Sequence, residues 1–88
     1  MIKSILIANR GEIACRIIKT SKKLGIKSSV IYSSEDENSL AVQMADHAFF
    51  LESKDGEKKE YLDTDQIINI ALKNKIEEIH PGYGFLSE

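Results

Sequence analysis

The chain is 88 residues long, 42% hydrophobic and 30% charged, with a formal net charge of −2. That mix describes one small soluble domain rather than a disordered or fibrous chain. There is no basic excess to meet nucleic acid, and no apolar run nears the ~20 residues of a membrane helix, so neither is an expected partner.

Ser4 to Ala8 (SILIA) is an isoleucine-rich apolar run, the pattern of a strand buried on both faces. It is too short and too poor in basic residues to be a signal peptide. Asn9-Arg10-Gly11 breaks it, and Glu12 opens a helix. Ile13, Ala14, Ile17, Ile18 and Leu24 fall on one side of that helix, with Arg16, Lys19, Lys22 and Lys23 elsewhere. The glutamate in the first turn and the lysines in the last suit the helix dipole, and Gly25 is a stop signal.

Ser28 to Tyr32 reads as a second strand, Ser33 to Asn38 as a loop and Ser39 to Ala45 as a short helix. Ala48 to Leu51 reads as a third strand. Glu52 to Glu60 lacks any apolar residue and reads as a solvated loop. Asp63-Thr64-Asp65-Gln66 has the form of a capping box. The helix it starts is expected to bury Ile67, Ile68, Ala71 and Leu72 and to end near Asn74. Glu77 to His80 is a short fourth strand, ended by Pro81-Gly82-Tyr83-Gly84.

Strands alternating with helices predict right-handed βαβ units, hence an α/β, Rossmann-like parallel sheet. Phe85 to Glu88 resembles the start of another helix. The sheet is therefore expected to be incomplete at the C-terminus, with one face short of a covering helix and the chain poorly stable alone.

Two segments stand at carboxyl ends of strands, where ligands gather in open α/β sheets. In Asn9-Arg10-Gly11-Glu12, Arg10 is equipped to meet a phosphate or carboxylate as a two-pronged donor. Only one glycine is present, so the dinucleotide fingerprint is missing. A structural role outweighs ligand binding here, with Arg10 and Glu12 capping the turn and pairing with neighbouring segments. In His80-Pro81-Gly82-Tyr83-Gly84-Phe85 the glycines permit close approach of backbone to a ligand, and Pro81 fixes one end. The rim of a site and a plain tight turn are both open readings of that segment.

Cys15, the one cysteine, permits no internal disulfide and fits a reducing, cytoplasmic setting. It lies beside the apolar stripe of the first helix without an evident base, and reads as a packed thiol. Tyr32, Phe49 and Phe50 read as core. Glu35 and Asp36 follow the second strand, where a ribose contact would stand, but the missing glycine fingerprint disfavours that role. With no zinc spacing, Walker loop or pair of catalytic carboxylates, no metal site is expected.

Ser4-Ile5-Leu6-Ile7-Ala8-Asn9-Arg10-Gly11-Glu12-Ile13-Ala14-Cys15-Arg16 closely resembles the opening of biotin carboxylases. Ile79-His80-Pro81-Gly82-Tyr83-Gly84-Phe85-Leu86-Ser87-Glu88 resembles their next landmark, at a matching distance. Lys23 to Lys27, Ala45-Asp46 and Tyr61-Leu62 fall into place between them, so the resemblance covers essentially the whole chain. Glu52 to Glu60 departs from it, standing where members commonly have a Gly-Pro-containing stretch.

The resemblance implies that residues 1–88 are part of a Rossmann-like domain preceding an ATP-grasp domain, the ATP-grasp and C-terminal domains being absent. It implies a ligase that uses MgATP and bicarbonate to carboxylate biotin on a carrier protein. Biotin, ATP and Mg2+ serve the full enzyme, and none is expected to bind this segment tightly by itself. The implied partners are the biotin carboxyl carrier protein or domain, the carboxyltransferase component and the rest of the carboxylase chain, in a homodimer or larger complex.

The family's catalytic lysines, glutamates and arginines have no counterpart in this segment, so no catalytic residue is expected in it. By similarity His80, Gly82, Tyr83, Gly84 and Phe85 form one wall of the biotin site. Asn9, Arg10, Gly11 and Glu12 take a structural, interdomain role, and Arg16 and Lys19 match positions near the dimer interface. Ala14-Cys15-Arg16 is more similar to the propionyl- and methylcrotonyl-CoA branch than to the acetyl-CoA or pyruvate branch. The alternative is a short stand-alone module that docks on full-length carboxylase subunits through its first helix, without catalysis.

Overall fold

The computed structural model of the chain describes residues 2–9, 11–51 and 64–80. Its elements are β1 (Ser4–Ile7), α1 (Gly11–Lys23), β2 (Lys27–Tyr32), α2 (Leu40–Met44), β3 (His47–Phe50), α3 (Thr64–Lys73) and β4 (Glu78–His80). A single 3-10 turn, Ser34–Asp36, separates β2 from α2. All strand pairs are parallel, in the order β3-β2-β1-β4.

From β1 to β3 each strand is added on the same side of its predecessor, and right-handed crossovers place α1 and α2 together on one face. The connection from β3 runs back across the sheet to the far side of β1, which puts α3 on the opposite face. β1 is therefore central, and its alternating side chains enter two separate cores. Leu6 and Ala8 join Ile31 and Leu51 beneath Ile67 and Ala71 of α3. Ile7 joins Val30 beneath Ala14 and Ile18 of α1 and Ala41 of α2. Leu6, Ile7 and Ile18 are wholly buried, each contributing about 1.5–3 kcal/mol from burial. The expected bare face is not seen over β1 and β2, because a helix layer lies on each side. The two edge strands are thinly covered: β3 is exposed at His47 and Phe50, and β4 is exposed at Glu78 and half-buried at Ile79 and His80.

The helices are narrower in their contacts than the spacing of apolar residues implied. On α1 the buried line is Ala14, Ile18 and Ser21, whereas Ile13 is 37% and Leu24 64% exposed. On α3 Ile67 and Ala71 are buried, but Ile68 and Leu72 face outward at 46% and 72% exposure. Neighbouring helical residues diverge by ~100°, so a helix lying on a sheet admits one of each adjacent apolar pair and turns the other away. Phe50 is likewise not core: it is 48% exposed on the edge strand β3, with its ring edge-on to Tyr32 at 5.6 Å. Tyr32 and Phe49 are half-buried.

Both long helices end in the same capping motif. After α1 the Ile26 N–H bonds the Ser21 carbonyl at 2.9 Å and the Gly25 N–H bonds that of Lys22 at 3.2 Å. After α3 the Ile76 N–H bonds the Ala71 carbonyl at 2.9 Å and the Lys75 N–H bonds that of Leu72 at 3.3 Å. This pattern needs a left-handed residue at its apex. Gly25 supplies φ 74° in the first, and Lys75 is held at φ 56° in the second. α2 begins at Ser39, whose Oγ accepts from the Val42 N–H at 3.3 Å. Asp63, the proposed cap of α3, lies outside the described residues, as does the segment Glu52 to Glu60.

Side chains tie the amino-terminal ends of the strands together. The Lys3 N–H donates to the Glu77 carboxylate at 2.6 Å, and the Glu77 N–H donates to Ser4 Oγ at 3.0 Å. Asp46 makes the equivalent clamp between β2 and β3. Its Oδ2 accepts from the Ser28 N–H at 2.9 Å while its own N–H donates to the Ser28 carbonyl at 2.9 Å.

Candidate functional site

A parallel sheet of order β3-β2-β1-β4 has its topological switch point between β1 and β4, where successive connections leave in opposite directions. The chains then diverge beyond the carboxyl ends of those two strands and leave a crevice. Asn9 stands two residues past the end of β1, and His80 is the last residue of β4. The register pairs Ile7 with His80, and the Ala8 N–H donates to the His80 carbonyl at 2.9 Å. Two residues 71 positions apart in sequence (80 − 9) are thus brought to one edge.

Asn9 is 6% exposed, and its Oδ1 finds no hydrogen-bond donor; His80 Nδ1 is likewise buried without a partner among the described residues. Leaving such an atom unsatisfied costs about 1–3 kcal/mol, so each is a polar atom available to a partner outside the described residues. The carboxamide and imidazole together can offer both a donor and an acceptor there.

Gly11, the first residue of α1, adopts φ 66°. A Cβ there would meet nothing within 4 Å, so backbone conformation, rather than crowding, is what asks for glycine. It turns the chain sharply from β1 into α1. Glu12 is exposed in the first helical turn, where its charge suits the dipole. Arg16 and Lys19 are exposed on α1, three residues apart and so on neighbouring positions of its outer surface. Glu35 and Asp36 lie in the 3-10 turn after β2, on the same edge of the sheet as Asn9. Cys15 is half-buried against the α1 core, as a packed thiol would be. Arg10, Gly82, Tyr83, Gly84 and Phe85 lie outside the described residues. Among the described residues no three His, Cys, Asp or Glu side chains are grouped as metal ligands, and no helix is long and apolar enough to cross a membrane.

Asp46 was legible only as part of a family-like Ala-Asp pair, and its clamp on β2 was missed. The hydrogen bond from the Ser28 N–H holds its carboxyl below the usual carboxylate range; burial opposes that, and Lys22, with Nζ 4.0 Å from Oδ1, assists it. An acidic residue directly ahead of a strand of an open parallel sheet is the signal that points to such a clamp.

A central strand buried on both faces, helices on either side and a polar pair at the switch point define a Rossmann-like α/β half with a crevice at its carboxyl edge. Residues 1–88 match the biotin carboxylase N-terminal domain over the whole chain, and the protein belongs to that family. It is 50% identical over 88 residues to biotin carboxylase 1 of Bacillus subtilis, covering all of this chain and 19% of that protein. Mitochondrial methylcrotonoyl-CoA carboxylase subunit alpha of Mus musculus is 49% identical over 87 residues, which are 99% of this chain and 12% of that one.

Among solved structures, the biotin carboxylase of Campylobacter jejuni superposes with a TM-score of 0.89 at 42% identity, over 99% of this chain and 19% of its own. The biotin carboxylase domain dimer of Hydrogenobacter thermophilus 2-oxoglutarate carboxylase, bound to MgADP, ADP and bicarbonate, gives 0.88 at 44%, over 99% and 19%. The chain therefore spans about an eighth to a fifth of the curated relatives it matches.

Proposed function

We propose that residues 1–88 serve as the N-terminal domain of a biotin carboxylase, supplying one wall of the cleft in which biotin on a carrier protein is carboxylated at the expense of MgATP and bicarbonate. The family match over the whole chain carries this reading. The fold supports it: the carboxyl edge presents Asn9 Oδ1 and His80 Nδ1, each without a partner among the described residues, and His80 directly precedes Pro81-Gly82-Tyr83-Gly84-Phe85. His80 and the glycine-bearing segment then line the biotin side of the cleft. Asn9, Arg10, Gly11 and Glu12 hold the β1–α1 turn against the rest of the enzyme. ATP and Mg2+ supply the phosphoryl chemistry that activates bicarbonate, and residues beyond this segment hold them. The exposed Arg16 and Lys19 belong to a dimer face, and the carrier and carboxyltransferase components complete the assembly.

The test is a chimera in which residues 1–88 replace the matching segment of the Bacillus subtilis biotin carboxylase 1. Retained bicarbonate- and biotin-dependent ATP turnover, within about tenfold of the parent, is the expected result. A folded chimera with the parent's oligomeric state and no turnover would overturn the reading. The isolated chain is expected to show no turnover, and activity from it would be equally damaging.

A further inference from the structure

At the opposite end of the sheet from Asn9 and His80, on the α3 face, lies a cavity of about 320 Å3. Parallel register sets the first residues of the strands side by side, Ser4 against Lys27 and Ser29 against His47. These four line the cavity, and Asn74 and Lys75 line it from the end of α3. Three cationic or protonatable residues, Lys27, His47 and Lys75, thus line it from β2, β3 and the turn after α3. No aspartate or glutamate is among the described lining residues. Two carboxylates stand near the lining: Glu77 accepts from the Lys3 N–H, and Asp46, beside His47, accepts from the Ser28 N–H.

Two further features set the cavity apart from a chance cluster of surface lysines. Ser29 is 5% exposed, placing a hydroxyl on a strand face whose neighbours, Leu6 and Ile31, are apolar. Lys75 occupies the left-handed apex that α1 fills with Gly25, a conformation unfavourable for an L-residue and free for glycine. The capping bonds from Lys75 and Ile76 impose that conformation and fix the Lys75 backbone at the lip of the cavity. The carboxyl end of α3 alone would repel an anion. Here the capping bonds occupy the Ala71 and Leu72 carbonyls, and Lys75 sets a cation at that end.

We propose that this cavity binds a phosphate group, held between Lys27 and Lys75 with His47 and Ser29 as additional donors. Lysine and hydroxyl donors around a cavity with no acid among its described lining residues are suited to a compact, multiply charged oxyanion. The volume lies at the low end of the ~300–1,000 Å3 typical of small-molecule sites, leaving room for a short organic group on the phosphate. The site is separate from the biotin cleft, and its existence does not depend on the proposed activity.

The test uses the full chain, titrated with inorganic phosphate and with glycerol phosphate at constant ionic strength set by sodium chloride. Thermal melting and the His47 imidazole NMR signals are the readouts. A saturable rise in melting temperature beyond that in chloride, together with a His47 shift, is expected. Tighter binding of glycerol phosphate identifies a phosphate ester as the natural occupant, and tighter binding of inorganic phosphate identifies the free ion; either supports the site. Lys27→Gln and Lys75→Gly are each expected to weaken binding about tenfold. Lys75→Gly relieves the backbone at the same time, so it loses affinity while melting higher, which separates lost binding from lost folding. No saturable response to either probe, or undiminished affinity in both variants, would overturn the proposal.

Discussion

Replacing Lys75 by glycine should make the protein more stable, although it removes a large side chain and adds none. Lys75 sits at φ 56°, a region that costs an L-residue about 1–2 kcal/mol. Glycine removes that cost but loses about 0.5–1 kcal/mol through its freer unfolded chain. The capping bonds from Lys75 and Ile76 use backbone atoms only and survive the change. The net gain is about 0.5–1 kcal/mol, which for a domain of this size raises the melting temperature by about 2–8 °C. The mirror experiment is Gly25→Ala, at φ 74° with open space for a Cβ. It should lower stability by a similar amount, about 0.5–1 kcal/mol, from backbone strain alone. Urea unfolding of the parent and both variants measures the two differences. A Lys75→Gly chain that unfolds at the same or lower denaturant concentration refutes the reasoning.

Other consequences are as direct. Ile18→Ala, at a wholly buried position, should cost about 2–5 kcal/mol, whereas Leu72→Ala, at 72% exposure, should stay within about 0.5 kcal/mol; similar losses would mean α3 is packed by its other face. The Asp46 carboxyl is held below its ordinary value in the folded chain, chiefly by the Ser28 N–H. Its contribution is therefore fully present above the unfolded value of about 3.9 and lost as pH falls through the folded value. Asp46 is partly open to solvent, so Asp46→Asn should cost under about 1 kcal/mol at pH 7, with the gap closing below about pH 4; a gap unchanged near pH 2 contradicts the clamp. Ser39→Ala removes the hydroxyl oxygen that accepts from the Val42 N–H and should lower stability by about 0.5–2 kcal/mol, read in the same unfolding assay.

Local chemistry written into single segments was legible. The apolar run Ile5 to Ala8 reads as a strand covered on both sides, and Leu6 and Ile7 enter separate cores as that pattern requires. Gly25 marked the end of α1 and Ser39 the start of α2, because cap residues act on atoms within a few positions. His80 and Asn9 were each legible as ends of strands. The Arg10 and Gly82–Phe85 positions that share their motifs lie outside the described residues.

Which apolar residues would be buried was not legible. Ile67 and Ile68 have the same side chain, and only the side from which α3 meets the sheet decides that the first is buried and the second is not. The same holds for Lys75: nothing local asks for a left-handed lysine, and the backbone bonds from Lys75 and Ile76 impose it. Sequence alone determined the alternating elements, the family likeness and the polar segments that follow the strands. Tertiary structure decided which distant residues share a place: Asn9 and His80 at one edge of the sheet, and Lys27 and Lys75 in the lining of the cavity. The reason is that strand order and crossover hand are collective properties. They depend on how both faces of β1 are covered, which no segment specifies by itself.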